Sequence, residues 1–372
     1  MTAPPRTALR VLHVDRSVAW GGGQNQVRLL LAGVPPDVRA VAGLFTVRGS
    51  RLAAESRVLD VRTVEHPWRS PLGPAPVRAL AALLAGPWEV VQAHDAHALQ
   101  AALVARAAAG RDLPVVAARR VSGAPRTPAI WRRADLVLGV SDAACRSLLQ
   151  AGIAADRIRR VPDGIDLADL APPRPGRLRS AARVGDRTAF VAAIGALAPA
   201  KGHDTFLGAA ALVASHRPEA RFAVFGEGPL RSRLERRVRR LGLQDRFALP
   251  GAVPDAARSL GDLDLFVMPS RTEGLGTAAL EAMAAGRPVI LTDGGGLVEL
   301  AGDAIPTVPA GSPEALAAEI LRLLEDPVAR RARAEAGLAR ARTFTVGQMV
   351  RRTVAAWRDV NERARRRAAG GA

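Results

Sequence analysis

Residues Asp262–Asp293 read DLDLFVMPSRTEGLGTAALEAMAAGRPVILTD, and this stretch sets the architecture expected for the whole chain. Leu263 to Met268 is an apolar run of strand length, broken by Pro269 and Ser270. Thr277 to Ala285 is rich in Ala and Leu, which favours a helix, and Gly286 supplies its stop. Pro288 to Leu291 is a second buried strand, so the order is strand, loop, helix, strand. Glu273 lies in the loop after the first strand, and Gly274, Leu275, Gly276 and Thr277 lead into the helix. Unpaired backbone N–H groups and the helix dipole at such an N-terminus attract phosphate. Glu281 follows one turn into the helix, where a carboxylate can accept both hydroxyls of a ribose diol. Glu273 is placed to hold the hydroxyls of a second group beyond the phosphates.

This stretch resembles the E-x7-E signature of the family-4 retaining glycosyltransferases (group 1 glycosyltransferases). The resemblance implies the GT-B fold: α/β, with two Rossmann-like doubly wound parallel-sheet domains facing a central cleft. It divides the chain into residues 1–170, an acceptor-side N-terminal domain, and 171–345, a nucleotide-sugar-binding C-terminal domain. Residues 346–372 form a last helix that crosses back to the N-terminal domain.

The bulk properties agree with two globular domains. At 372 residues the chain is too long for one ordinary core, and 48% hydrophobic with 24% charged residues is a globular balance. No apolar run is long enough to span a bilayer. The start, MTAPPRTALRVLHV, lacks the apolar core of a secretion signal, so none is expected. Cys145 is the only cysteine, which excludes an internal disulfide and fits a reducing cytoplasm. Net charge is +18, which raises nucleic acid and anionic membrane as partners. Aromatics are only 3%, no Tyr occurs, and the arginines are spread along the chain, so nucleic acid is not expected. A peripheral contact with an anionic membrane surface, at its cytoplasmic face, is. Lys201 is the single lysine; every other cationic side chain of this kind is Arg. A lone Lys under that bias points to a need for a compact ammonium with rotatable donors.

In order, Leu9 to Val14 is the first strand, and Gly21-Gly22-Gly23 allows close backbone approach before a helix begins at Gln24. Strands are expected at Val38–Phe45, Val58–Val64, Glu89–Ala93, Val115–Ala118 and Leu136–Val140, with helices at Val77–Leu84, Ala96–Ala109 and Ala143–Gln150. Sites in such sheets lie beyond the carboxyl ends of the strands. His94-Asp95-Ala96-His97 stands at one such end: His94 is a candidate for acceptor or sugar hydroxyls, and Asp95 could as readily cap the helix. Arg119 and Arg120 stand at another and are candidates for an anionic acceptor group. The loop His66-Pro67-Trp68-Arg69-Ser70-Pro71 is a candidate lining of the acceptor side. Arg157–Val161 is a strand leading to Pro162-Asp163-Gly164-Ile165-Asp166, and the Pro- and Arg-rich run from Ala171 to Asp186 reads as an exposed linker. After it, Ala189–Ile194 restarts a domain, with Gly195–Gly202 carrying Lys201 and Gly226-Glu227-Gly228 opening a further helix.

The resemblance extends over these segments. It implies that the Gly22-Gly23 loop faces the donor diphosphate, that Lys201 contacts phosphate, that Gly228 belongs to a donor loop, and that backbone near Val253 reads the nucleobase. Against the family pattern, Ala196 replaces an arginine, Arg119 stands where a histidine is usual, and Asp163 replaces an asparagine. The catalytic candidates are therefore Lys201, Glu273, His94 and Arg119. The donor-binding candidates are Gly22, Gly23, Lys201, Gly228, Val253, Glu273, Gly274, Leu275, Gly276, Thr277 and Glu281. The implied reaction is transfer of a sugar from a nucleotide-diphosphate sugar to a hydroxyl of a glycan or lipid-linked acceptor, with retention. No metal or cofactor is expected: no His/Cys/Asp/Glu cluster has metal spacing. A non-catalytic nucleotide-sugar binder and a sugar-nucleotide epimerase are the alternatives.

Overall fold

The computed structural model describes residues 8–370 apart from Arg69 and Pro71. The described residues form two units: one holds those up to Gly164 together with those from Val346 onward, the other Ile165–Thr345.

In the first unit the chain runs β1 (Val11–Val14), α1 (Gly22–Gly33), α2 (Pro36–Ala40), β2 (Gly43–Val47), α3 (Arg51–Val58), β3 (Arg62–His66), α4 (Pro74–Leu84) and β4 (Val90–Ala93). It continues through α5 (Ala96–Ala108), β5 (Val115–Arg119), α6 (Pro128–Trp131), β6 (Leu136–Gly139), α7 (Asp142–Gln150) and β7 (Ile158–Arg160). The strands form one parallel sheet in the order β3-β2-β1-β4-β5-β6-β7. The order reverses between β1 and β4, which makes the ends of those strands the switch point where open α/β sheets bind ligands. Alternation along the strands sends Leu12, Val14, Val91, Ala93, Val115 and Ala117 to one face, where α4 and α5 cover them. Val11, Val90, Val116 and Leu136 go to the other, against α1 and the last helix. Burial on both faces explains why these strands read as short continuous apolar runs.

In the second unit α8 (Arg177–Ala182), β8 (Phe190–Ile194), α9 (His203–His216), β9 (Arg221–Phe225), α10 (Arg231–Arg240) and β10 (Phe247–Gly251) come first. Then follow β11 (Leu265–Met268), α11 (Thr277–Ala284), β12 (Val289–Thr292), α12 (Leu297–Ala301), β13 (Thr307–Val308), α13 (Pro313–Glu325) and α14 (Pro327–Ala341). The sheet order is β10-β9-β8-β11-β12-β13, all parallel, with its switch point between β8 and β11. The last helix, α15 (Val346–Gly370), belongs to the first unit. It lies against α1 at Gly33, where a Cβ would come within 2.8 Å of Val346 and Val350. Its Trp357 is fully buried and donates from Nε1 to Gln92 Oε1 at 2.8 Å. Among the described residues no helix is long and apolar enough to cross a membrane.

Three segments depart from the sequence expectation. The front of Val38–Phe45 is helical, because Pro36 in the first turn presets the backbone for α2, and the strand begins only at Gly43. Val58 ends α3, which Ser50 caps through the Ala53 N–H; the strand is Arg62–His66. The supposed linker is docked. Asp262 accepts from the backbone N–H of Gly176, Leu178 and Arg179, Arg179 pairs with Asp264 at 3.1 Å, and Leu178 is fully buried. Composition could not show this, since the capping acid lies more than eighty residues ahead.

Gln26 of α1 holds the end of the first unit's chain. Its amide donates to Gly164 O at 2.8 Å and accepts from Gly164 N at 3.0 Å, all buried. Gln26→Leu should therefore strand two buried backbone groups and lower stability by about 2–4 kcal/mol in urea unfolding. A loss below about 0.5 kcal/mol would show that Gly164 finds other partners.

Candidate functional site

The site grows from the loops at the carboxyl end of the second sheet. Lys201 follows β8 and Glu273 follows β11, the two strands that flank the switch point. Their loops are tied together by backbone. Arg271 N and Thr272 N both donate to Ala200 O, at 2.8 and 3.3 Å, and Gly296 N donates to Glu273 O at 2.9 Å. The approach is closest at Gly202, which has φ of 63° and caps α9; a Cβ there would lie 1.9 Å from Pro269 O. Only glycine lets these two backbones touch. The result brings Lys201 Nζ within 2.6 Å of Glu273 Oε2, which also accepts from Ser270 Oγ at 3.0 Å. Both side chains are largely buried.

The chemistry left over is specific. Nζ has three donors and spends one on Glu273. Glu273 Oε1 takes no bond among the described residues. Beside them, Gly276 (φ 99°) caps α11 without a side-chain bond, and no acid stands in the first turn. The N–H groups that open α11, from Thr277 on, are thus unpaired donors with the positive end of the helix dipole behind them. Gly274 and Leu275 are buried and lead into this turn. Ammonium, helix N-terminus and carboxylate oxygen together suit a ligand with anionic and hydroxylic parts.

Glu281 lies one turn into α11 and is partly buried. Burial, and then the nearby Asp169, raise its pKa to about 7. A carboxyl that binds a diol as an acceptor must first ionise there. Gly228 and Val253 lie on the loops after β9 and β10; Leu197 N donates to Glu227 O and Gly226 N to Gly251 O, both at 2.9 Å. These backbone bonds join the loops of β8, β9 and β10 into one rim. Arg271 is held bidentate by Asp204 at 2.8 Å on both arms, which keeps the Asp204 carboxyl below its usual range. His203, which the sequence does not mark out, is buried and bonds Ala196 O at 3.1 Å. Burial lowers its pKa to about 4, so it is a neutral ring bracing the Lys201 loop.

The first unit presents a second cluster at its own switch point. Gly22 and Gly23 open α1, two residues earlier than the sequence suggests, after an N-cap Gly21 with no side-chain bond. Asp15 accepts from Ser17 N at 2.9 Å and Gln24 Nε2 at 3.4 Å, and Asp95 accepts from Arg16 N at 3.0 Å. Two acids thus pin the glycine loop from both sides, and burial with the neighbouring Asp95 raises the Asp15 pKa to about 6. Asp95 also caps α5 through His97 N and Ala98 N, while the His97 side chain is exposed. His94 is turned into the unit: Nε2 meets His13 Nδ1 at 2.9 Å, and Nδ1 is buried without a partner. Arg119 is also buried, over the Trp131 ring and bonded to Gly123 O. Its neighbour Arg120 takes the other direction. It bonds Asp163 Oδ1 and His94 O, each at 3.3 Å, and its Cδ would be 3.9 Å from a Cβ on Gly23. Arg120 is therefore the cation at the glycine loop, and it pairs with Asp163, the acid that stands in place of the family's asparagine. Alternation along β5 was the available signal: adjacent residues on a strand point to opposite faces. Of the acceptor-side loop, Trp68 is buried against Phe45, and Arg69 and Pro71 lie outside the described residues.

Two outcomes test this geometry. Gly202→Ala should cost about 3 kcal/mol or more and abolish nucleotide binding, because the loops must part; unchanged urea midpoints would contradict the contact. Acidification from pH 8 to 6 should weaken nucleotide binding about tenfold by protonating Glu281, and Glu281→Gln should flatten that dependence. Equal titration curves for the two proteins would remove Glu281 from the site.

Comparisons with known proteins bear on the same segments. Residues 188–326 match the model for glycosyl transferases group 1, and residues 20–169 that for glycosyltransferase family 4. A D-inositol 3-phosphate glycosyltransferase of Kineococcus radiotolerans is 32% identical over 314 residues, covering 77% of this chain and 70% of that protein. A GDP-mannose-dependent phosphatidylinositol monomannoside mannosyltransferase of Corynebacterium glutamicum is 30% identical over 221 residues, covering 56% of this chain and 58% of that protein. The chain spans about half the length of several curated relatives it matches, between 40% and 58%. Among solved structures, Anabaena Alr3699/HepE, in complex with UDP and glucose, aligns with a TM-score of 0.81 at 20% identity, covering 94% of this chain and 100% of that chain. At that identity the likeness is one of fold, and it agrees with the two parallel α/β sheets. On the Kineococcus relative and the two family models, the chain belongs to the family-4, group 1 glycosyltransferases, with the GT-B fold.

Proposed function

We propose that this chain is a retaining, metal-independent glycosyltransferase. It moves a sugar from a nucleotide-diphosphate sugar to a hydroxyl of a glycan or lipid-linked acceptor. The observation that carries the reading is the contact of Lys201 with Glu273 at the mouth of α11. Glycosyl transfer builds negative charge on a departing diphosphate and positive character on the sugar carbon. Fixed donors stabilise the first without reorganising. Here they are the Lys201 ammonium and the amides that open α11. Glu273 Oε1 orients the sugar through its hydroxyls, and Glu281, once ionised, holds the ribose. The backbone around Val253 accepts the base. The glycine loop of Gly22 and Gly23, with Arg120, serves the side from which the acceptor comes, and His94 and Arg119 support that loop from within the unit.

Charge neutralisation by protein groups is the reason for omitting a metal from this scheme. Among the described residues no group of three or more His, Cys, Asp or Glu side chains is arranged to hold one. Retention follows in this reading from a donor phosphate that remains on the face from which the acceptor attacks. The membrane surface remains a proposed meeting place with a lipid-linked acceptor, favoured by the net charge of +18.

The decisive experiment is a thermal-shift panel of UDP, GDP and ADP sugars, followed by product analysis with the donor that binds. A stabilising donor, an α-linked product from an α-linked donor and full rates in EDTA are expected. An inverted product or loss of activity in EDTA would overturn the retaining, metal-free scheme, and binding without turnover or hydrolysis would favour a non-catalytic binder. Lys201→Ala should lower turnover about 100-fold or more, the scale of losing one fixed donor to a developing anion. Wild-type turnover in that variant would remove Lys201 from the chemistry.

A further inference from the structure

Beneath the switch point of the first sheet lies a buried aromatic and polar chain of which the transfer scheme uses only the His94 end. His13 on β1 and His94 after β4 stack with centroids 5.2 Å apart and planes 6° from parallel, joined by Nδ1 and Nε2 at 2.9 Å. Trp357 of α15 meets His13 edge-on, centroids 5.4 Å apart, and donates to Gln92, the residue in register with His13 on β4. The His94 carbonyl accepts from Arg120 Nη1. His94 also lines a cavity of about 20 Å³ with Gln92, Arg120, Asp163 and Thr353.

We propose that His13 is a positioning residue: it accepts the Nε2–H of His94 and, wedged by Trp357, fixes the His94 ring and main chain on which Arg120 is hung. One proton must lie between His13 Nδ1 and His94 Nε2, and two arrangements are open. If His13 were the donor, His94 would carry its hydrogen on Nδ1, leaving a buried N–H with no acceptor beside a guanidinium. A buried N–H without a partner is the costlier orphan, and a nearby cation favours a lone pair. The structure therefore assigns the Nε2–H tautomer to His94, with Nδ1 as a lone pair toward the interior. His13, its Nδ1 used as acceptor, carries its own hydrogen on Nε2. Both rings are neutral: burial lowers the His13 pKa to about 3 and holds His94 well below the usual histidine range, with His13 and Arg120 adding to the effect on His94. A neutral, singly oriented pair is rigid in a way that a titrating pair is not. It sets the height of the His94 carbonyl, and with it the direction of Arg120 toward Gly23. The chain's last helix thereby reaches the functional edge of its unit through Trp357, and Thr353 of the same helix lines the cavity beside it. The bearing on catalysis rests on the transfer reaction proposed above; the tautomer does not.

The chain has only six histidines, so selective ¹⁵N labelling and the loss of one signal set per substitution assign them. Long-range ¹H–¹⁵N correlation at pH 7.5 should show the Nε2–H pattern for both His13 and His94. A His94 ring protonated on Nδ1, or a mixture of tautomers, overturns the assignment. His13→Phe removes the acceptor and His13→Asn supplies one at the position of Nδ1. With UDP-glucose or GDP-mannose, whichever the thermal-shift panel selects, hydrolysis or transfer at saturating donor should fall about tenfold or more in His13→Phe and recover to within about threefold in His13→Asn. Binding of UDP or GDP, on the other unit, should change by less than about twofold in both. Equal losses in the two variants, tracking their melting temperatures, would mean that His13 only packs, and would overturn the proposal. If the wild-type chain turned over no donor at all, the transfer reading would fail while the NMR result still decided the hydrogen bond.

Discussion

Everything at the carboxyl edge of the second sheet depends on one close approach, that of Gly202 to the carbonyl of Pro269. With a separation that excludes any side chain, the loop after β8 and the loop after β11 become one body. Lys201 stands immediately before the contact and Glu273 four residues after it, so their 2.6 Å pairing follows from the backbone rather than from a search by two long side chains. An ammonium that must otherwise lose rotamer freedom on meeting a ligand is held in place beforehand. The N-terminus of α11 is set by the same loop. Geometry that a ligand would need is thus present before the ligand arrives.

The electrostatics of the two units follow a common rule. Net charge is +18, yet the cations at the functional edges are already matched: Lys201 by Glu273, Arg271 by Asp204, Arg120 by Asp163. What the edges expose instead are the unpaired faces of matched pairs and the starts of two helices, α1 and α11, that carry no side-chain cap. The carboxyls at these edges are raised, Asp15 to about 6 and Glu281 to about 7, both chiefly by burial. Each opposes folding increasingly as pH climbs from the ordinary carboxylate range through those values. Buried His13 works in the other direction, opposing folding as pH drops below the ordinary histidine range toward about 3. At neutral pH the two carboxyl costs are nearly complete and that of His13 has barely begun, so the three together are smaller in mildly acidic solution than at pH 7.

Much of this was legible in the chain. Strands buried on both faces of a parallel sheet are short apolar runs, and their order with helices between them gave the α/β class and the position of Glu273, Lys201 and α11. What resisted reading has three physical causes. Capping by distant acids is invisible to composition, so the run from Ala171 to Asp186 looked like a linker, though Asp262 and Asp264 anchor it. Side-chain direction at a strand end depends on the parity of one residue, so Arg119 was favoured over Arg120. A histidine's role depends on what its nitrogens meet, and His13, thirteen residues into the chain, gave no local sign that it would face His94 from the neighbouring strand. The place of α15 in the first unit was expected only from the family resemblance; in the structure it rests on long-range contacts, that of Trp357 with Gln92 among them.

The solitary lysine has a practical corollary. Reagents selective for primary amines encounter a single side chain of that kind in the entire polypeptide, and it lies beside Glu273. Apart from a terminal α-amine, acylation with a small fluorescent or isotopic tag would mark one defined side chain at the carboxyl edge of the second sheet. The extent of protection by added nucleotides would then report occupancy directly, without engineered handles elsewhere.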